Sequence, residues 1–260
     1  MTENSGTGVV PYEDERYMIE VLEADAGAGR MAIPNDPDGR WDLIRSLMNV
    51  RPPVPPDPRM LGIQDRYLEN LIRRRGITDA DCLEYRDGIC VWRGDITALK
   101  CDAIVNAANS GMLGCFVPLH RCIDNAIHSY AGIQLRLECD RMMRGAKEPT
   151  GRARATHAYN LPCRYVLHTV GPIVSGPLTD RHRADLESCY RSCLELAASL
   201  GLRTVAFCCI STGEFRFPNE EAARIAVSTV RDFLVDHGDI RVVFDVFTDR
   251  DEDIYGRLLG

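Results

Sequence analysis

No cysteine occurs before Cys82, no stretch approaches the ~18 consecutive apolar residues of a membrane-spanning helix, and Met1 to Pro11 contain neither a basic residue nor an apolar run. Neither a secretory signal nor a membrane anchor is therefore expected. Positive charge is also scarce: 31 Lys and Arg against 38 Asp and Glu give a net charge of −7 and a pI near 5.4. A generic duplex-binding surface needs clustered cations to displace counterions from phosphates, so nucleic acid is not an expected partner. Internal repeats and low-complexity tracts are absent. Eleven cysteines, an odd number without an export signal, fit reduced thiols better than a disulfide framework and point to the cytoplasm.

What is present divides near residue 86. The 260 residues suffice for a core domain with an appended piece, and the spacing predicts helices at Tyr12 to Ala24, at Asp38 to Met48, and through Met60, Ile63, Tyr67, Leu68, Leu71 and Ile72. Arg73 to Arg75 followed by Gly76 reads as the end of that third helix. Between the second and third helices, Arg51-Pro52-Pro53-Val54-Pro55-Pro56 must be extended, because successive prolines exclude helix. Residues 1–86 are thus expected to form a helical extension packed on a domain of residues 87–260.

From Asp87 onward, strands and helices alternate. Expected strands are Gly88 to Trp92, Ala103 to Ala107, Arg154 to Ala158, Tyr165 to Val170, Thr204 to Ile210 and Arg241 to Phe247; expected helices are Ile123 to Ala131, Gln134 to Met143, Arg181 to Leu200, Asn219 to His237 and a short turn after Asp251. Near-continuous apolar strands such as Val205 to Ile210 suit a sheet covered on both faces, which predicts a three-layer α/β/α domain.

Chemistry concentrates in the loops after these strands. Cys115-Phe116-Val117-Pro118-Leu119-His120-Arg121-Cys122 sets two thiols and an imidazole within eight residues. Three protein ligands with one position left open characterise catalytic zinc, although two packed thiols and a loop histidine would give the same spacing. Ser211-Thr212-Gly213 follows a buried strand and precedes a helix, so its amides can approach an anion such as a pyrophosphate; an ordinary capped turn is the plainer alternative. Glu214 beside that loop would repel phosphate and is expected to point away. Cys189, Cys193, Cys208 and Cys209 read as packing, and His128, His157 and His168 as structural histidines. The His-Glu-x-x-His and His-x-Glu with Cys-x-x-Cys patterns of other zinc hydrolases are absent.

Taken together, Gly94-Asp95-Ile96-Thr97, Val105-Asn106-Ala107-Ala108-Asn109, Tyr165-Val166-Leu167-His168-Thr169-Val170-Gly171-Pro172 and Ile210-Ser211-Thr212-Gly213 with Phe217-Pro218 resemble a macrodomain, the ADP-ribose-binding fold, over roughly residues 88 to 250. The Cys115, His120, Cys122 segment and the extension with Arg51-Pro52-Pro53 and Gln64-Asp65 resemble the zinc-dependent, sirtuin-linked macrodomains, which are protein-ADP-ribose hydrolases. Arg216 departs from this pattern, since glycine is common there.

The resemblance implies one zinc held by Cys115, His120 and Cys122, with Asn106, Asn109 and Asp124 in catalysis. It further implies that Asp95, Ile96, Asn109, Ser211, Thr212, Gly213, Glu214, Phe215 and Phe217 contact the ligand, with Asp95 on the adenine amine and Phe217 near the distal ribose. Residue chemistry is consistent: Asn offers both donor and acceptor to sugar hydroxyls, and a helix N-terminus favours an ionised Asp124. Local capping and loop-pinning would place Asp95, Asn106, Asn109 and Asp124 equally well. The implied substrate is a mono-ADP-ribosylated protein, including a lipoyl carrier related to the glycine-cleavage H protein and modified by a partner sirtuin, and the enzyme is expected to be a monomer. A non-catalytic ADP-ribose reader with a structural zinc is the rival reading.

Overall fold

The computed structural model describes residues 10–260. Met1 to Val9, where the absence of a signal was read and where the expected extension begins, lie outside the described residues. Three helices come first: α1 (Tyr12–Ala26), α2 (Pro37–Val50) and α3 (Pro58–Arg75). Asp36 and Asp57 accept hydrogen bonds from Gly39 and Met60 at the starts of α2 and α3, each followed by a proline whose missing N–H costs nothing in the first turn. Arg73 to Arg75 and Gly76 close α3 as the sequence predicts. The three helices bury a small core of their own, including Met18, Ile19, Leu22, Ile44, Leu47, Met60, Ile63 and Leu68, which takes in Ile133 from beyond.

The rest of the chain supplies β1 (Thr78–Asp79), β2 (Ile89–Arg93), β3 (Leu99–Lys100), β4 (Ala103–Ala108), α4 (Ile123–Ala131), α5 (Ile133–Met143), β5 (Ala153–His157), β6 (Tyr165–Val170), α6 (Asp180–Ser199), β7 (Thr204–Phe207), α7 (Asn219–Leu234), β8 (Arg241–Val246) and α8 (Asp249–Leu259). Six strands form a mixed sheet in the order β2-β8-β7-β4-β6-β5, parallel except for β5 against β6. Side chains alternate across a sheet. Along β6, His168 therefore meets Cys139 of α5, while the neighbouring Thr169 meets Cys189 of α6. Helices cover both faces, giving the three-layer α/β/α architecture. The main core runs from Ala80 to Tyr255 and includes Cys189, Cys193 and Cys208.

Several boundaries differ from the sequence reading, α7 for instance ending at Leu234 and not at His237, and two of the differences matter here. The strand expected through Ile210 stops at Phe207, because β4 pairs with β7 only over Ala103 to Val105 and continues beside β6 alone. The ladder parts there and opens a crevice between β4 and β7. Since the connection from β4 runs toward β6 and that from β7 toward β8, this is the switch point at which open α/β sheets receive ligands. The expected terminal turn is instead a full helix, α8, capped by Thr248 and closed over the sheet by Ile254 and Tyr255.

Polar bonds fasten the amino-terminal helices to this domain. Gln64 accepts from Ile133 N (3.0 Å) and donates to Gln134 (2.8 Å), while Asp65 accepts from Gln134 (2.7 Å) and Asn160 (2.9 Å). Gly132 lies between them at φ +96, and a Cβ there would stand 2.6 Å from the Gln64 amide nitrogen. Among the described residues, no helix is long and apolar enough to cross a membrane.

Candidate active site

Strand register assembles the inner wall of the crevice. Asn106 on β4 is the Cα partner of His168 on β6, so both point to the α4–α5 face. Asn106 Nδ2 donates to Asp124 Oδ1 (2.8 Å) and to His168 Nδ1 (3.1 Å), which leaves the proton of His168 on Nε2 to meet Thr156 Oγ1 (2.9 Å). Burial lowers the His168 pKa to about 3, so its ring is neutral. With both amide protons engaged, the buried Asn106 Oδ1 is an acceptor without a partner.

Asp124 lies in the first turn of α4, where Cys122 Sγ caps the helix by accepting from Asn125 N (3.4 Å). The helix terminus favours the ionised carboxylate, and burial acts against it. Burial raises its pKa to about 6, opposed by the Asn106 hydrogen bond and by the charge of Arg136. Desolvation outweighs the helix terminus, leaving the group largely ionised at neutral pH yet basic enough to take a proton. His128, one turn on, holds Nε2 3.6 Å from Asp124 Oδ1 and is kept neutral by burial.

Asn109 links this wall to the cysteine loop. Its Nδ2 donates to Gly114 O (3.0 Å) and Asp124 Oδ2 (3.3 Å), and its Oδ1 accepts from Gly111 N (3.0 Å). Gly114 has φ +80, and a Cβ there would press on the His128 ring at 2.8 Å. The loop brings Cys115, His120 and Cys122 together, their ligand atoms all within 4.8 Å of one another and each residue half-exposed. Zinc bonds of ~2.3 Å to sulfur and ~2.0 Å to nitrogen at a tetrahedral angle separate the two donors by about 3.5 Å. Cys115 Sγ and His120 Nδ1 are 3.5 Å apart. His120 Nε2 in turn faces Glu214 Oε1 at 3.5 Å, the carboxylate–imidazole arrangement that orients metal-bound histidines. The three residues fit zinc by donor type and spacing.

A second buried group, His128, Cys139 and His168, also has ligand atoms within 4.8 Å. There, however, both His168 nitrogens already have hydrogen-bond partners, so the ring supports Asn106 instead.

The outer wall is the loop after β7. Ser211 (φ 66) and Arg216 (φ 58) both adopt the left-handed region, which accounts for glycine being common where Arg216 stands. The bonds that close the loop run from Thr212 N to Cys209 O, Arg216 N to Gly213 O and Phe217 N to Ser211 O, leaving the amides of Gly213, Glu214 and Phe215 outside the closure. Ser211 Oγ is buried and unpartnered, while the Thr212 hydroxyl is spent on Cys209 O (3.0 Å). The Glu214 carboxylate turns from its own loop toward His120. Phe217 was expected beside a ribose, but its side chain is packed into the core at 1% exposure; Phe215 is the half-buried aromatic here. The alternation of the Phe215-Arg216-Phe217 segment puts only one ring inward, and the sequence did not indicate which.

At the far end, Asp95 caps the 3-10 turn Ile96–Ala98, accepting from Thr97 N (2.9 Å) and Thr97 Oγ1 (2.5 Å). Its other oxygen pairs with Arg75 of α3, whose guanidinium lies 4.0 Å from the Tyr130 ring centroid. The Asp95 side chain remains 43% exposed, and Ile96 is buried beneath it. Phe247, 80% exposed just past β8, presents an open aromatic face at the carboxyl edge of the sheet; the sequence reading had it only as a strand end. Sequence reasoning also missed Arg75, and His168 as the support of Asn106; its place within the Tyr165 to Pro172 motif was the available signal.

A mixed α/β/α sheet whose switch point gathers a loop with free amides and a cluster of two cysteines and a histidine has the architecture of a nucleotide-type binding fold. The Macro domain family model matches residues 105–226. A protein-ADP-ribose hydrolase from Treponema medium is 54% identical over 94% of this chain and 97% of its own length, and one from Staphylococcus aureus is 48% identical over 86% of each. The solved Trypanosoma brucei macrodomain in complex with ADP-ribose is 32% identical with a TM-score of 0.65, covering 87% of this chain and 97% of that one. The chain belongs to the macro domain family.

Proposed function

We propose that this protein is a zinc-dependent hydrolase that removes ADP-ribose from mono-ADP-ribosylated protein. The observation that carries the reading is the buried pair Asn106 and Asp124, tied through Gly114 and the exposed Asn109 to the half-exposed Cys115, His120, Cys122 triad. The hydrolase names of relatives at 54% and 48% identity support it.

In this reading Asp95 accepts from the adenine amine, and Ile96 supplies the wall beneath. The pyrophosphate lies on the amides of Gly213, Glu214 and Phe215 beside Ser211 and Thr212. This brings the distal ribose to Asn109 and to the free acceptor Asn106 Oδ1. Cys115, His120 and Cys122 would hold the zinc, which would supply Lewis-acid chemistry when bound. Asp124 orients the attacking water and takes its proton as the water oxygen bonds to the anomeric carbon. The bond from the anomeric carbon to the modified side chain breaks as that bond forms, its electron pair leaving with the side chain, which takes up the proton. Asn106 and His168 hold Asp124 in place throughout.

The resemblance supports a lipoyl carrier, modified by a partner sirtuin, as one substrate, and a reducing compartment such as the cytoplasm suits eleven unpaired thiols. Incubating purified protein of measured zinc content with a mono-ADP-ribosylated protein tests the reading. Release of free ADP-ribose is expected; tight binding with no release would make the chain a reader.

A further inference from the structure

We propose that Arg45 and Asn49 on α2 are positioning residues for His120, so that the amino-terminal helices are part of the metal site; this rests on the reading of Cys115, His120 and Cys122 as zinc ligands. The loop from Cys115 to Cys122 has one backbone hydrogen bond of its own, from His120 N to Val117 O (3.2 Å). Side chains from outside the loop hold the remainder. Asn49, 1% exposed, accepts from Leu119 N (3.0 Å) and donates to Ser129 Oγ on α4 (3.0 Å). Leu119 has φ 55, a left-handed conformation that a branched side chain adopts only when its surroundings impose it.

One residue on, Arg45 Nη2 donates to His120 O (3.2 Å). The same guanidinium grips Asn125 Oδ1 (2.8 Å from Nη2, 3.2 Å from Nε). Asn125 donates through Nδ2 to Val117 O (3.0 Å) and through its backbone N to Cys122 Sγ (3.4 Å). Arg45 and Asn49, one helical turn apart, thus fix the backbone on both sides of the His120 Cα and, through Asn125, reach a second proposed ligand. Two residues on one face of α2 are suited to this because i and i+4 side chains project together. Apart from Arg121, which is exposed, the loop's own side chains are apolar or are the ligands, so these bonds come from outside it.

The test uses the full-length protein and reads zinc affinity by competition with a chromogenic chelator, alongside thermal unfolding of the metal-free form. Arg45→Met and Asn49→Ala are expected to weaken zinc binding on the order of 10- to 100-fold, the usual effect of losing a partner that orients a metal ligand. Arg45→Lys, which keeps one donor, is expected to recover part of the loss. Leu22→Ala, which loosens the amino-terminal core without touching the loop, controls for general destabilisation and is expected to leave zinc affinity within about threefold of wild type. Wild-type affinity in Arg45→Met and Asn49→Ala, or an equal loss in Leu22→Ala, would overturn the proposal. If the wild-type protein binds no zinc, the ligand assignment fails first, and the positioning role with it.

Discussion

The end of the crevice proposed to take the ribose and the end proposed to take the adenosine are built by different means. At the ribose end Asn106, Asp124, His128 and His168 are buried, and the cysteine loop in front of them is pinned by side chains of other elements. At the other end most hydrogen bonds are local, with Asp95 capping its own turn and the Ser211 to Phe217 loop largely closing on itself, while Asp95 also pairs with Arg75 of α3 and, like Phe247, stays open to solvent. Burial makes geometry exact and shifts pKa values, which suits bond breaking; an open, locally closed pair of loops suits recognition. The difference teaches where each kind of mutation should register: in rate at one end, in affinity at the other.

The largest effect should come from the metal ligands. The wild type is expected to carry about one zinc per chain by elemental analysis, and a Cys115→Ala, Cys122→Ala double variant none. Retention of zinc by the double variant would break the comparison at its root. Next, His120→Ala should slow release of ADP-ribose from modified protein about a hundredfold or more, with a much smaller loss in binding of free ADP-ribose. Single-turnover rates and calorimetric affinities on one folded sample separate the two, and equal losses in both would mean that the loop merely collapsed.

The adenosine end should answer in the opposite sense. Asp95→Ala is expected to weaken ADP-ribose binding by about 1 to 3 kcal/mol in calorimetry, with little change in the single-turnover rate at saturation. Unchanged affinity would remove Asp95 from the adenine site.

The smallest effect concerns stability. Asp245 on β8 is buried with an unpartnered Oδ1, and burial raises its pKa to about 8 against the hydrogen bond from Gly94 N. A folded-state pKa above the unfolded value means that the fold favours the protonated acid. Its contribution is therefore fully present below about pH 4 and is lost progressively as pH rises through 8. Asp245→Asn should abolish that decline, gaining on the order of 1 to 3 kcal/mol over wild type at pH 9 and less at pH 5. Thermal melts at the two pH values check it, and parallel curves would refute it.

Much of the frame was legible because it depends on local pattern. Apolar runs located the six strands of the sheet, and the loops after β2, β4 and β7 carried the chemistry-bearing residues. Other features depend on contacts far apart in sequence. Nothing local marks Arg45 or Asn49 as partners of Leu119 and His120 some 70 residues away. Likewise, only strand register brings His168 to Asn106, and the early end of β7 follows from β4 having β6 as its sole neighbour beyond Val105. The inward turn of Phe217 and the desolvation of Asp124 are properties of the assembled core, which no spacing encodes.

The most direct measurement is single-turnover release of ADP-ribose by wild-type protein stripped of zinc and then reloaded, with metal content verified at each stage. The account predicts that release falls about a hundredfold or more on stripping and returns on reloading, while affinity for free ADP-ribose changes little. Release that proceeds equally fast without zinc would contradict it, leaving the metal loop a structural clasp and the chemistry to Asn106 and Asp124 alone.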